Sequence, residues 1–512
     1  MSERRPNFLI FMTDQQRGDS VLPEHLCQTP VLDGFRRDAV TFSECFCPSP
    51  HCCPSRASFF TGLYPSEHGV WNNITVPNAL SRGLNPGTRA WSEALVAAGY
   101  HCDFVGKWHV DSERLPADFG WSVHSAQAAA APPSPARVRL PQSDWQRYEK
   151  VAEDAGAELL QAPDLSERKP GEILRPGWNS YTHYGVKDNP FKDGDVVAKG
   201  CELIASRQGT DEPWCCYVGT LGPHDPYFVP QEFLDRYRDV EIDLPASFSD
   251  MMRDKPAFYR RTRGFFDQLS EAEQRDAIRH YWAFCSYEDH LFGQLLEALE
   301  ASGEADNTVV IYCSDHGDYV AEHGLWCKGL PCFRGAYHVP MIVRWPGVTD
   351  GVERRVDAYA SLVDVGPTLL EIAGIDHDLQ MSGASWVPFL RGEEPSQWRQ
   401  AICTQSNGNE QYGIQRSITC GGWKYVYNGF DFDELYDLSS DPDEVVNLAE
   451  RPEVDARKRE LCAQLWAFAH AHNDHCTNAY IMVGMAPVGP AAGCVPGLAD
   501  VHGLQRDPVP AG

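Results

Sequence analysis

Positive charge is what this chain has least of. Lysine and arginine together number 44 against 72 aspartates and glutamates, a formal net charge of −28 over 512 residues. A surface of that sign repels nucleic acid and anionic membrane, so neither is an expected partner. It also repels small anions at long range, so any anion site has to be a local pocket of cations. The chain lacks a stretch near the roughly 18 apolar residues that a membrane-spanning helix needs. At the N-terminus, MSERRPNFLIFMTDQQ puts two arginines before an apolar run. Asp14 interrupts that run, and no small-residue cleavage pattern follows. A soluble, cytoplasmic protein is expected. No internal repeat is visible. Cysteine is plentiful at 18 residues. In a long chain read as unexported, most are expected to be reduced, small, buried hydrophobes.

The length exceeds what one hydrophobic core usually supports, which points to one large domain and a smaller one. The run NFLIFM at 7–12 is apolar throughout, as suits a strand buried on both faces. Further strands are expected at 102–105, 214–219, 308–313 and 341–345. Helical patterns lie between them: one opened by Thr29-Pro30, one opened by Thr88 and stopped by Gly99, a long one over 276–300, and a shorter one over 363–373. This alternation predicts an α/β fold, a large mostly parallel sheet sandwiched by helices. Past residue 396 the texture changes to short strand-like runs (AICTQ, GIQRSITC, WKYVYNG, FDELYDL), with Gly421-Gly422 as a hairpin signal. A helix over 453–471 follows. The expected division is a catalytic domain over 1–395, a small C-terminal α+β domain with an antiparallel sheet over 396–472, and a tail over 473–512. Residues 125–142 read as a surface insertion.

Two residue pairs stand at predicted strand ends: Asp14-Gln15 after the first strand, and Asp315-His316 after TVVIYC. In a parallel sheet the carboxyl ends of strands share one edge, where ligands bind. Carboxylates with an amide oxygen and an imidazole there make a cation site. The segment HCCPSRASFFTG at 51–62 reads as a helix started by Pro54 and ended by Gly62. A helix N-terminus lowers a thiol pKa and attracts anions, which singles out Cys52.

The pattern C-x-P-S-R followed by ASFFTG resembles the sulfatase motif, in which the first cysteine is oxidised to formylglycine. Here that residue is Cys52. The rest of the chain resembles the sulfatase family in order: PNFLIFMTDQQ, then GKWH at 106–109, GPHDP at 222–226, SDHGDYVAEHGLWCKG ending in the Lys328 loop, and GGWKYVYN with ELYDLSSDPDEVVNLA. The likeness spans roughly residues 5–470. It implies that Asp14, Gln15, Asp315 and His316 hold a divalent metal, with Cys52 supplying the nucleophile beside it. Arg56 and Lys107 would stabilise the oxygens of the hydrated aldehyde. His109 would be the base for the elimination step. His224 and Lys328 would contact the sulfate, with His224 the acid for the leaving group, and Asn73 would contact a substrate oxygen. The second hydroxyl of the hydrated aldehyde, losing its proton, would expel sulfate and regenerate the aldehyde. A plain cysteine or serine lacks that hydroxyl.

The pairs Asp14-Gln15 and Asp315-His316 are similar to the branch of choline sulfatases and phosphonate monoester hydrolases rather than to members with two aspartates and Asp-Asn. Calcium is the expected metal, with manganese or zinc as alternatives. The expected substrate is a small sulfate ester of a sugar, aryl or alkyl alcohol. A phosphonate monoester or phosphodiester is the alternative, and a non-catalytic anion-binding protein a further one. A formylglycine-generating enzyme is an expected maturation partner, and the tail suggests a homo-oligomer. Trp145, Tyr148, Trp178, Tyr181, Tyr184 and Tyr227 are candidates to line the alcohol pocket, or to be core. His68, His323 and His338 lie near motifs without a required role.

Overall fold

The computed structural model describes residues 4–76, 79–124, 164–174, 181–409 and 411–475. The insertion at 125–142, the aromatics Trp145, Tyr148 and Trp178, and the tail from 476 onward lie outside them.

The central sheet has eight strands: β1 (Asn7–Thr13), β2 (Val40–Phe42), β3 (His101–Gly106), β4 (Ser122–Val123), β5 (Trp214–Gly219), β6 (Thr308–Ser314), β7 (Met341–Arg344) and β8 (Arg354–Val356). Their order is β8-β2-β7-β6-β1-β5-β3-β4. Only β7 runs against the others, pairing antiparallel with β6 and β2. All seven residues of β1 are buried, because its two faces meet different cores. Phe8, Ile10 and Met12 pack on one side, and Leu9 and Phe11 on the other. This explains an apolar run without alternation. Each such side chain contributes about 1.5–3 kcal/mol of burial.

Helices α1 (Pro30–Phe35), α4 (Asp193–Ser206) and α5 (Glu271–Ser302) cover the Leu9 face. Helices α2 (Cys52–Thr61), α3 (Trp91–Ala97) and α6 (Val365–Ile372) cover the Phe8 face. None of the described helices is long and apolar enough to cross a membrane. The C-terminal sheet joins β9 (Ala401–Ser406), β10 (Gln415–Cys420), β11 (Trp423–Asn428) and β12 (Glu434–Asp437) in that order, every pair antiparallel. Gly421 and Gly422, with φ of 56° and 76°, make the turn between β10 and β11, as two positive-φ positions require. Helix α7 (Asp455–Ala471) buries Leu461, Leu465 and Trp466 against this sheet.

Several expected helix starts move. Helix α3 begins at Trp91 rather than Thr88, because Thr88 is held in a turn by its N–H to the Asn85 carbonyl. The Glu93 carboxylate accepts the Ala90 N–H at 2.7 Å. Helix α2 begins at Cys52, two residues before Pro54. Thr29 does not cap α1 with its side chain. Asp289 of α5 does so instead, accepting the N–H groups of Val31 and Leu32 at 3.0 and 2.8 Å. Helix α5 gains a turn at its N-terminus, where Ser270 and Glu273 cap each other.

Candidate functional site

Strand register builds the site. Thr13 of β1 pairs with Ser314 of β6, so Asp14 and Asp315 leave adjacent strands side by side. Met12 pairs with Gly219, and Gly219 with Gly106. Lys107 and the 220–226 segment therefore emerge at the same edge. The Gly222 carbonyl accepts the Asp14 N–H at 3.0 Å, and the Thr13 carbonyl accepts that of Asp315 at 3.3 Å.

Helix α2 points its first residue at this edge. The Cys52 Sγ lies 3.2 Å from His316 Nε2 and 3.8 Å from Asp14 Oδ1. Ligand atoms of Asp14, Cys52, Asp315 and His316 all lie within 4.8 Å of one another, and all four residues are buried. The donor set fits a divalent cation. His316 Nδ1 is engaged with the Gly317 carbonyl at 2.9 Å, which leaves the Nε2 lone pair facing the cluster. Two carboxylates this close share an anionic charge that a dication relieves. Burial pushes the Asp315 carboxyl up, and Asp14 beside it adds to that. Burial pushes Asp14 up too, but Lys107, His224 and Arg56 overcome it and hold the group well below the usual carboxylate range.

Cations surround the cluster. Arg56 is fully buried, and its guanidinium donates to Asp315 Oδ2 at 2.7 Å, Asp14 Oδ2 at 3.1 Å, the Lys107 carbonyl at 3.1 Å and Tyr217 Oη at 2.9 Å. It clamps the two carboxylates together. Lys107 Nζ is paired with Asp14 Oδ2. Burial would raise the Cys52 thiol, but the charges of Lys107 and Lys328 hold it well below its ordinary value. His109, at φ 53°, meets Thr75 Oγ1 through Nε2 at 3.2 Å.

On the opposite side, Lys328 Nζ donates to Gln15 Oε1 at 2.5 Å and to His224 Nε2 at 2.7 Å. His224 Nδ1 is held by the Asp225 carbonyl at 2.6 Å, with the Asp225 carboxylate at 3.3 Å. Burial and Lys328 work against protonation of His224, but Asp225, Cys52 and Asp14 raise its pKa overall. Asn73 accepts the Cys53 N–H at 3.1 Å through Oδ1, so that oxygen caps α2. His68 bonds Ser58, His338 bonds the Ser43 carbonyl, and His323 pairs with Asp250 while stacked on Phe333. None of these three joins the cluster.

Sequence reading passed over several members. Asp225 and Asp318 sit inside the GPHDP and SDHGD segments and were available there. Tyr217 reads as one more buried strand residue. Tyr181 donates to Asp225 Oδ2 at 2.7 Å and Tyr227 to Asp318 Oδ2 at 2.5 Å, so two of the candidate pocket aromatics serve the site's carboxylates.

Residues 6–375 match the family described as Sulfatase, and residues 321–471 the one described as N-sulphoglucosamine sulphohydrolase, C-terminal. The choline-sulfatase of Rhizobium meliloti (strain 1021) is 30% identical over 500 residues, spanning 90% of this chain and 86% of that protein. The N-acetylglucosamine-6-sulfatase of Homo sapiens is 27% identical over 489 residues, spanning 87% and 81%. Among solved structures, the phosphonate monoester hydrolase of Agrobacterium radiobacter superposes with a TM-score of 0.71 at 23% identity, covering 91% of this chain and 96% of that one.

Proposed function

Because the chain belongs to the sulfatase family, we propose that it hydrolyses sulfate esters through a formylglycine made from Cys52. The observation that carries this is the convergence of Cys52 with two carboxylates and an imidazole lone pair, ringed by Arg56, Lys107, His109, His224 and Lys328. The Cys52 Sγ stands where a hydroxyl oxygen of the hydrated aldehyde would be. A divalent cation held by Asp14, Gln15, Asp315 and His316 would polarise the attacking oxygen and offset the charge of the sulfate. Calcium suits the carboxylate and amide oxygens, while the imidazole admits manganese or zinc.

The remaining work falls to the chain's own residues. Arg56 keeps the two carboxylates in register. Lys107 places a positive charge beside the nucleophilic position, and His109 stands close enough to take a proton from it. Lys328 meets the sulfate, and in doing so gives up its bond to His224 Nε2. With its lone pair released, that nitrogen takes up a proton from solvent and gives it to the leaving alcohol oxygen as the S–O bond breaks, while the Asp225 carbonyl keeps Nδ1–H in place. The Asp225 carboxylate beside His224 favours the acid form this step needs.

The substrate is a small sulfate ester, the maturation partner a formylglycine-generating enzyme, and the assembly a homo-oligomer. Peptide mass spectrometry across residues 46–56, after co-production with such an enzyme, should find a loss of about 18 Da at Cys52. An unmodified thiol would remove the mechanism. Sulfate esters and phosphonate monoesters should then be assayed side by side. A higher kcat/KM on the phosphonate would move the assignment to that chemistry.

A further inference from the structure

A glutamine side chain presents either an oxygen or an NH2 group, depending on a half-turn, and only the oxygen can ligate a cation. The surroundings of Gln15 decide which. Its Nε2 donates to Asp318 Oδ2 at 2.6 Å and to Asp225 Oδ1 at 3.3 Å, while its Oε1 accepts from Lys328. Ionised carboxylates only accept and an ammonium only donates, so the reverse orientation has no satisfied partner. The backbone is fixed as well. Gln15 has φ 70°, a left-handed conformation that non-glycine residues rarely adopt. It is pinned there by its N–H to Asp315 Oδ1 at 3.1 Å and by the Tyr281 hydroxyl on its carbonyl at 2.9 Å.

Asp318 is the hub. It is fully buried and meets four donors. Besides Gln15, its Oδ2 accepts from Tyr227, and its Oδ1 accepts the N–H groups of Val320 and Cys327, both at 2.9 Å. Cys327 immediately precedes Lys328. One carboxylate therefore fixes both the amide of Gln15 and the turn that presents Lys328.

We propose that Asp318 is a positioning residue, which sets Gln15 as an oxygen donor to the cation and couples that ligand to Lys328. This rests on the metal-dependent reading given above. It also explains why position 15 holds an amide: a carboxylate there would face the carboxylates of Asp318 and Asp225.

The test is calorimetric titration of the purified full chain with Mn2+ and with Ca2+, alongside kcat and KM on an aryl sulfate and a melting curve for each variant. Asp318→Asn replaces the nearer of the two carboxylates on Gln15 Nε2 with an amide that can present either group, and is expected to weaken cation binding about 10- to 100-fold, as loss of an outer-shell partner does. Gln15→Glu is expected to weaken it too, although by charge alone an added carboxylate would bind a dication more tightly. The double variant Gln15→Glu/Asp318→Asn again sets one acceptor against one donor, and is expected to recover most of the loss. If Asp318 only holds the 318–328 turn, Gln15→Glu binds more tightly and the double variant is no better than Asp318→Asn alone. Either result overturns the proposal. Should Asp318→Asn fail to fold, the sign of the change in Gln15→Glu decides the matter. A wild-type chain that binds neither cation overturns the metal-dependent reading as well, whereas wild-type binding with unchanged variants overturns this proposal alone.

Discussion

His224 is gripped at both nitrogens, Nδ1 by the Asp225 carbonyl and Nε2 by Lys328. That geometry makes its proposed role separable by leaving group. An acid matters most when the departing alcohol is a poor leaving group. His224→Ala is therefore expected to lower kcat/KM about 10²- to 10⁴-fold on an alkyl sulfate, within the range of general acid catalysis. The loss on nitrophenyl sulfate, whose nitrophenolate leaves without a proton, should be much smaller. Equal losses on both would count against the acid role. At this scale much of the site is readable from sequence, because Asp14, Cys52, Asp315 and Lys328 sit in short segments whose residue types are chemically demanding. The hydrogen-bond partners are not. Nothing in the letters says that Arg56 is spent on Asp14 and Asp315, or that Tyr217 from a middle strand completes its set.

Strands are readable where both neighbours bury them. The stretch 214–219 emerges with its expected bounds, and β1 and β6 differ from expectation by one residue. Helix starts are harder, since the cap can come from far away in sequence. Asp289 caps α1 from a distance of 257 residues, a pairing no local pattern encodes. Its removal in Asp289→Ala should cost about 1–2 kcal/mol, as other lost N-caps do. It also carries a pH signature. Burial raises the Asp289 carboxyl from 3.8 to about 7. The unfolded chain then releases this proton at lower pH than the folded one. The contribution is full below about pH 4 and is lost as pH rises towards 7. Melting curves across that range should fall less steeply for Asp289→Asn than for wild type. Parallel slopes would show that the group does not titrate there.

Over the whole molecule, the C-terminal domain reaches the segments that flank the nucleophile. Gln405 of β9 donates its N–H to the Pro48 carbonyl at 2.8 Å, and Asn409 accepts the N–H of Asn73 at 3.0 Å. Asn73 in turn caps α2. The C-terminal sheet thus braces the turn that aims Cys52, although the sequence separates the two regions by more than three hundred residues. Metal loss should register at this scale as well. Asp14 and Asp315 are fully buried, so stripping the cation with a chelator leaves Arg56 and Lys107 alone to offset their charge. Protein first saturated at about 100 times the dissociation constant should lose about 2.7 kcal/mol of stability. A melting temperature indifferent to chelator would place no cation in the cluster.

Helix α2 is buried from Cys52 to Thr61 without a break. An enzyme that recognises C-x-P-S-R as an extended segment has no access to it in the finished fold. On the proposed reading, the two events therefore compete in time: the cysteine is converted while the chain is still emerging or unfolded, or the fold closes over it. A molecule that wins the race to fold too early is locked as a well-formed but permanently idle copy. The working fraction of a preparation is then fixed at synthesis, and no later treatment of the native protein raises it.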